Sequence, residues 1–320
     1  MLFKNASVYR LTKPFEPSAE ALLLMLEKNA FVPCSGLRAS SFGWVPPIKD
    51  IEDAPLGHEV AGSILLCARR EDKVIPPSAL NEAIAERVER IESMEGRKLR
   101  AKERLNIKDD ALAELLPRAL ARSKQIMGYI HPANNLLVID TANASEAELF
   151  INCLRDSVGT LAVVPPQVKA KPTDVFSAWL MHRKLPEHFS LTDQCDLVDP
   201  EDGASVTCRK QDLDTQEIRN HLEAGKMCTK LGIRFYGDLR VTVDKDIIMR
   251  QLNLESSDDD AEDEDNPIAR MDAAFVNMTL EFGRFLPALF TALGGETLAI
   301  GEVANPAPFT DRAPLPDSGE

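Results

Sequence analysis

Along this chain, short runs in which apolar and polar residues alternate exchange with stretches of helical period. Ser7 to Leu11 reads as a strand, Ser18 to Asn29 as a helix capped by Ser18, and Gly62 to Arg69 as a half-buried strand. After the turn-like pair Pro76-Pro77, Ser78 is placed to cap a long helix running to about Leu105, with Leu80, Ile84, Val88, Ile91 and Leu99 on one side. At ~1.5 Å per residue that helix would be on the order of 40 Å long. A second helix is expected from Asp109 to Lys124, restarted near Pro117 because proline suits only a first turn.

The period then shortens to two. Met127 to Ile130 and Leu136 to Asp140 flank His131-Pro132-Ala133-Asn134-Asn135, a strand, turn, strand pattern. Ser145 to Ser157 returns to helical spacing, and Leu161 to Val164 reads as a strand ending at Pro165-Pro166, the expected first domain boundary. Beyond it, Val206 to Arg209 and Lys230 to Val243 read as strands of a second sheet, with a helix at Thr215 to Ala224. Asn266 to Leu293 is a largely apolar helical segment that stops at Gly294-Gly295. The expected class is α+β, with mixed small sheets and a long helical arm in two or three subdomains. Residues 1–165 would form an N-terminal unit that includes the arm 78–124, and 166–254 a second unit. An acidic flexible loop 255–265, a helical segment 266–296 and a disordered tail 297–320 would follow.

Charge complicates any functional reading. Of 320 residues, 51 are Asp or Glu and 37 Lys or Arg, a net charge of -14, the wrong sign for a simple polyanion binder. Asp258, Asp259, Asp260, Glu262, Asp263, Glu264 and Asp265 crowd into one short run, and without these seven the chain would still stand at -7. DNA binding therefore requires segregated charge. The alternative is an acidic protein-interaction scaffold that uses this run to mimic DNA. The six cysteines show no Cys-x-x-Cys spacing and read as reduced, mostly buried thiols. The N-terminus lacks a signal-peptide core, and no segment approaches the ~20 apolar residues of a membrane span. A cytoplasmic location is expected.

Motifs of catalysis are not found. Leu222-Glu223-Ala224-Gly225-Lys226 resembles the end of a phosphate-binding loop, but position 220 is Asn and Met227 stands where a Ser or Thr would bind magnesium. The acidic run lacks the glycine that turns a calcium-binding loop. His221, in a helical pattern near Glu217 and Glu223, reads as a surface or capping histidine. No catalytic residue, metal site or cofactor is expected. A nuclease assembled from scattered carboxylates is the remaining enzymatic alternative.

One constellation is basic. Arg97, Lys98, Arg100, Lys102 and Arg104 stand against the single acid Glu103. On a continuous helix Arg90, Arg97 and Arg104, spaced by seven, drift only ~20° per step and share a face with Arg100. Such a line could follow phosphates; it could equally be a solvated face, as Glu86 before Arg90 suggests. Arg118, Arg122 and Lys124 make a second group, and Arg209, Lys210, Lys226 and Lys230 a third.

The segments NASVYRLTKPF, AFVPC, GWVPP, CARREDKVIPPS, LLPRA, RKQDL and NHLEAGKMCTKL, in this order, resemble the recombination-associated protein RdgC family of proteobacteria, from residue 1 to about Glu296. The resemblance implies a homodimer closed into a ring whose basic hole encircles double-stranded DNA with little regard for sequence, with single-stranded DNA a further candidate ligand. It also implies nucleoid association and antagonism of RecA. An acidic exterior around a basic lumen would reconcile the net charge with that role. The family's DNA-contacting pair falls on Lys210 and Gln211, next to Arg209 and in the same basic group as Lys226. Leu120 occupies the subunit-contact position that is phenylalanine in relatives. Arg97, Arg100, Arg104, Arg118 and Arg122 are added to the candidate DNA-binding set from their pattern alone.

Overall fold

The computed structural model describes residues 2–36, 38–48, 53–254 and 266–297. After β1 (Asn5–Leu11), the Ser18 hydroxyl accepts from the Ala21 amide at 3.2 Å and starts α1 (Ala19–Leu26). Strands β2 (Ser40–Val45), β3 (Gly57–Val60) and β4 (Ser63–Val74) follow. Helices α2 (Pro77–Glu95) and α3 (Ala101–Leu115) then lead to β5 (Leu120–His131) and β6 (Leu136–Ile139).

The expected long helix is thus two helices. Gly96 takes φ 62°, its amide bonds Glu92 O at 2.9 Å, and the left-handed residue ends α2. The second helix ends at Leu115, and after a tight turn at Leu116–Arg118 the chain is a strand, so Arg122 and Lys124 lie on β5. Pro117 stops the helix. The strand beyond it is made by non-local pairing, since β5 runs antiparallel to β4 from Val74↔Leu120 to Ile64↔Ile130.

The remaining elements are α4 (Ala144–Val158), β7 (Val163–Val164), α5 (Pro172–His182), β8 (Phe189–Val198), β9 (Ser205–Arg209), α6 (Gln216–Glu223), β10 (Met227–Phe235), β11 (Leu239–Asp244), β12 (Met249–Leu254) and α7 (Pro267–Ala292). Of the strand expected at Leu161 to Val164 only the last two residues pair. Asn143 and Asn266 cap α4 and α7 through their side-chain oxygens. The acidic run and residues 298–320 of the expected tail lie outside the described residues.

The expected small sheets are in fact joined. Ten strands form one path, β2-β4-β5-β6-β1-β12-β11-β10-β8-β9, with β3 on β4 and β7 on β1, every pairing antiparallel. The joint is β1, whose Asn5 and Ala6 pair with Arg250 and Met249 of β12 while Ser7 to Arg10 pair with β6.

Two apolar layers cover the sheet. One packs Leu65, Tyr129, Val138, Leu231, Ile233 and Val241 against α5, α6 and α7. The other packs Leu66, Ile130, Leu137 and Ile139 against α1 and α4, and contains no residue of β8 to β12. Among the described residues no apolar layer packs on the other face of those five strands, where polar Thr242 and Asp244 are buried beneath their polar neighbours. Arg10 ties the far end of the chain to β1, donating to Glu296 from Nε and Nη2 at 2.9 and 2.8 Å beside the Phe290 ring. No helix among the described residues is long and apolar enough to cross a membrane.

Candidate nucleic-acid interface

Strand alternation decides which side chains the open face carries. On β10, Leu231, Ile233 and Phe235 enter the core, so Lys230, Gly232 and Arg234 point the other way. Register carries that face across the sheet: Lys230 opposes Asp196 and Asp244, Arg234 opposes Ser190 and Arg240, Arg250 opposes Thr242, and Arg209 opposes Gln194. The five strands hold five cations, Arg209, Lys230, Arg234, Arg240 and Arg250, against Asp193, Asp196 and Asp244. In a chain of net charge -14, these strands carry a local excess of two positive charges. At ~4.8 Å per strand spacing the face is about 19 Å across.

Several of these charges are held in place. Lys230 Nζ lies 2.7 Å from Asp196, Arg240 pairs with Asp193, and Arg250 donates to Asp244 at 3.2 Å and to Ala142 O at 3.3 Å. Gly232 leaves a gap over β10, through which Gln194 of β8 reaches Thr242 on β11 and Gln251 on β12. A Cβ there would sit 2.1 Å from Thr192 Oγ1 and 2.8 Å from Gln194 Cγ. The polar bridge from β8 over β10 to β11 and β12 thus depends on a missing side chain.

At the end of β9 stand the residues singled out from sequence. Arg209 and Lys210 are exposed and make no ion pair among the described residues, and Lys210 holds φ 54°, which turns the chain off the sheet edge. Gln211 is anchored, its amide bonding Asp193 O at 3.1 Å and its side chain Glu217 at 3.2 Å. Lys226 is turned inward, bonding Ala204 O at 3.0 Å with Asp199 3.9 Å away.

The other candidates lie elsewhere. Arg97 and Arg104 sit at the joint between α2 and α3, not on one helical face, because Gly96 interrupts the helix. Arg97 forks onto Glu103 at 2.7 and 3.0 Å and reaches Glu95 at 2.7 Å. Glu92 gathers Lys98 at 3.0 Å, Arg104 at 3.1 Å and the Leu99 amide at 3.0 Å. Hydrogen bonds from that amide and from Lys98 hold the Glu92 carboxyl down at about 2. The Arg97 fork and the Arg100 amide do the same for Glu103. Arg100 is exposed beside them. Arg118 and Arg122 are exposed without an ion pair among the described residues, whereas Lys124 is held by both oxygens of Glu146 at 2.7 Å. Leu120 is 84% exposed.

Arg234, Arg240 and Arg250 were missed by sequence reading. Their signal was the alternation of cations with Leu231, Ile233, Val241 and Met249, which marks a strand with one polar face but does not say that nothing covers it. Among the described residues no group of three His, Cys, Asp or Glu side chains is placed to hold a metal ion.

Fold and site together define an α+β protein built on one long antiparallel sheet, half sandwiched by helices and half presenting a cation-bearing face. Residues 1–296 match the family model described as "Putative exonuclease, RdgC". The chain belongs to the RdgC family. It is 42% identical over 305 residues to the recombination-associated protein RdgC of Aeromonas hydrophila subsp. hydrophila, covering 94% of this chain and 100% of that one. The proteins of the same name from Tolumonas auensis and Pseudomonas fluorescens are each 38% identical. They cover 92% of this chain, and 99% and 98% of their own lengths.

Proposed function

We propose that this protein binds DNA without sequence preference through the open face of β8 to β12, as one half of a homodimeric ring around a duplex, and thereby limits RecA access during recombination. The observation that carries this reading is the excess of cations, in an acidic chain, on a sheet face that no apolar layer covers among the described residues. Guanidinium and ammonium groups of this kind meet phosphates and position a duplex without reading bases. Lys210 and Arg209 extend the face at its β9 edge. The exposed pair Leu120 and Val74, opposed at the end of the β4–β5 ladder, supports a contact between subunits. On this reading the protein is not an enzyme and works in the cytoplasm on the nucleoid.

Anisotropy of two unrelated labelled duplexes, titrated with and without magnesium over a salt series, tests it. Both duplexes should bind alike, stay intact, and lose affinity linearly in log salt, with a slope that counts the phosphates contacted. No binding at low salt would refute the proposal. The family model's wording favours a second reading, an exonuclease, and shortened strands in the magnesium arm would favour it instead.

A further inference from the structure

Phe235 and Leu239 close the β10–β11 hairpin around the turn Tyr236-Gly237-Asp238. Tyr236 holds φ 51°, and His188, just before β8, holds φ 68°. A large side chain is strained in this region, where glycine or asparagine would sit more easily, and such strain concentrates at functional positions. The two residues hold each other: the Tyr236 amide donates to His188 O at 2.9 Å, and the rings stack with centroids 3.9 Å apart and planes 13° from parallel. Phe235 meets the same tyrosine ring edge-on at 4.8 Å. Despite these contacts Tyr236 stays 56% exposed. Neighbouring Phe189, Phe235 and Phe285 are all buried, so the core is closed without it.

Cations flank this shelf. Arg234 opposes Arg240 at the end of the open face, and its guanidinium reaches Gly237 O in the turn at 3.4 Å. A fixed aromatic ring beside guanidinium groups is the combination that holds an unpaired nucleotide, with the base stacked on the ring and the phosphate met by the cation. A continuous duplex keeps its bases stacked on one another and offers the tyrosine nothing comparable.

We propose that Tyr236, backed by His188, stacks an unpaired base of single-stranded DNA at the end of the open sheet face. This rests on the nucleic-acid reading of that face. The test compares wild type, Tyr236→Ala and Tyr236→Phe for binding to a labelled oligothymidylate and to a blunt duplex. A single strand carrying 2-aminopurine serves as a stacking reporter. Tyr236→Ala should weaken the single strand about tenfold and the duplex less than about twofold. The salt slope should not change, because no cation is removed. Tyr236→Phe should bind like wild type, and wild type should quench the reporter.

Equal losses on both DNAs, no loss at all, or a phenylalanine variant as weak as alanine would overturn the proposal. So would a reporter that wild-type protein binds without quenching, a result that needs no variant to fold. If wild type binds neither DNA, the reading of the sheet face itself falls, before Tyr236 is at issue.

Discussion

Two lysines from one basic group separate at the level of the single residue. Lys210 is exposed and held off the strand by its left-handed backbone, whereas the Lys226 side chain is 14% exposed and bonds a carbonyl. Lys210→Ala should weaken every DNA sequence alike and reduce the salt slope by about one. Lys226→Ala should leave that slope unchanged and lower unfolding stability by about 1 kcal/mol, the worth of one intramolecular hydrogen bond. Anisotropy and denaturant unfolding read the two effects separately. A sequence-selective loss at Lys210 would argue against backbone contact. Buried Cys195 and Cys228 are the opposite case, since burial pushes both thiols up and keeps them protonated.

Between α2 and α3 a carboxylate clamp replaces the helix that periodicity implied. Glu92 and Glu103 both have carboxyls held below the usual 4.5, at about 2. A depressed carboxylate stabilises the fold above its unfolded value and loses that contribution as pH falls through its folded one. Protection of the Leu99 and Arg100 amides, the groups these carboxylates accept from, should therefore fall as pH drops from about 4.5 to about 2. The β5–β6 pairing, from Gly128 opposite Ile139 to His131 opposite Leu136, contains no carboxylate and should keep its protection over that range. Hydrogen exchange measured by NMR distinguishes the segments; carboxyl titration of Glu92 near 4.5 would mean that the clamp is not formed. Helix α2 buries no residue at all, so its place is set by this joint and by the Arg87 to Glu114 ion pair.

For the molecule as a whole, the ring reading requires a contact surface, and the β4–β5 ladder offers one at its far end. Residues 120–125 of β5 are all exposed, and Leu120 opposes Val74, itself 50% exposed. On that reading Leu120→Asp should weaken self-association in sedimentation equilibrium and leave the thermal midpoint of the subunit nearly unchanged, because an 84% exposed side chain contributes little to its own core. A variant that stays dimeric would move the subunit contact elsewhere. Glu296, the last residue of the family match, is also the one that Arg10 clamps to β1, so the matched segment ends where the chain is fastened to the sheet.

By itself the sequence determined the local elements whose signals are local: the Ser18 cap, the His131 to Asn135 turn, the α4 and α6 helices, and the glycine stop after Leu293. It also carried the family, through short blocks spread along the chain, and it located Arg209, Lys210 and Gln211 at a strand end. Tertiary structure alone decided the rest. Strands β2, β3, β8 and β12 and helix α5 were not read. In β8 a bulge interrupts the alternation, with Leu231 opposite Cys195 but Ile233 opposite Leu191. The polar half of β5 looked helical because its partner is a distant strand. Whether two small sheets are one depended on Asn5 and Ala6 meeting β12, where Arg250 lies far along the chain from Asn5. Above all, a row of cations alternating with core residues becomes a candidate DNA surface only where no helix lies on it. Which face the helices cover is a property of long-range packing, and no local periodicity encodes it.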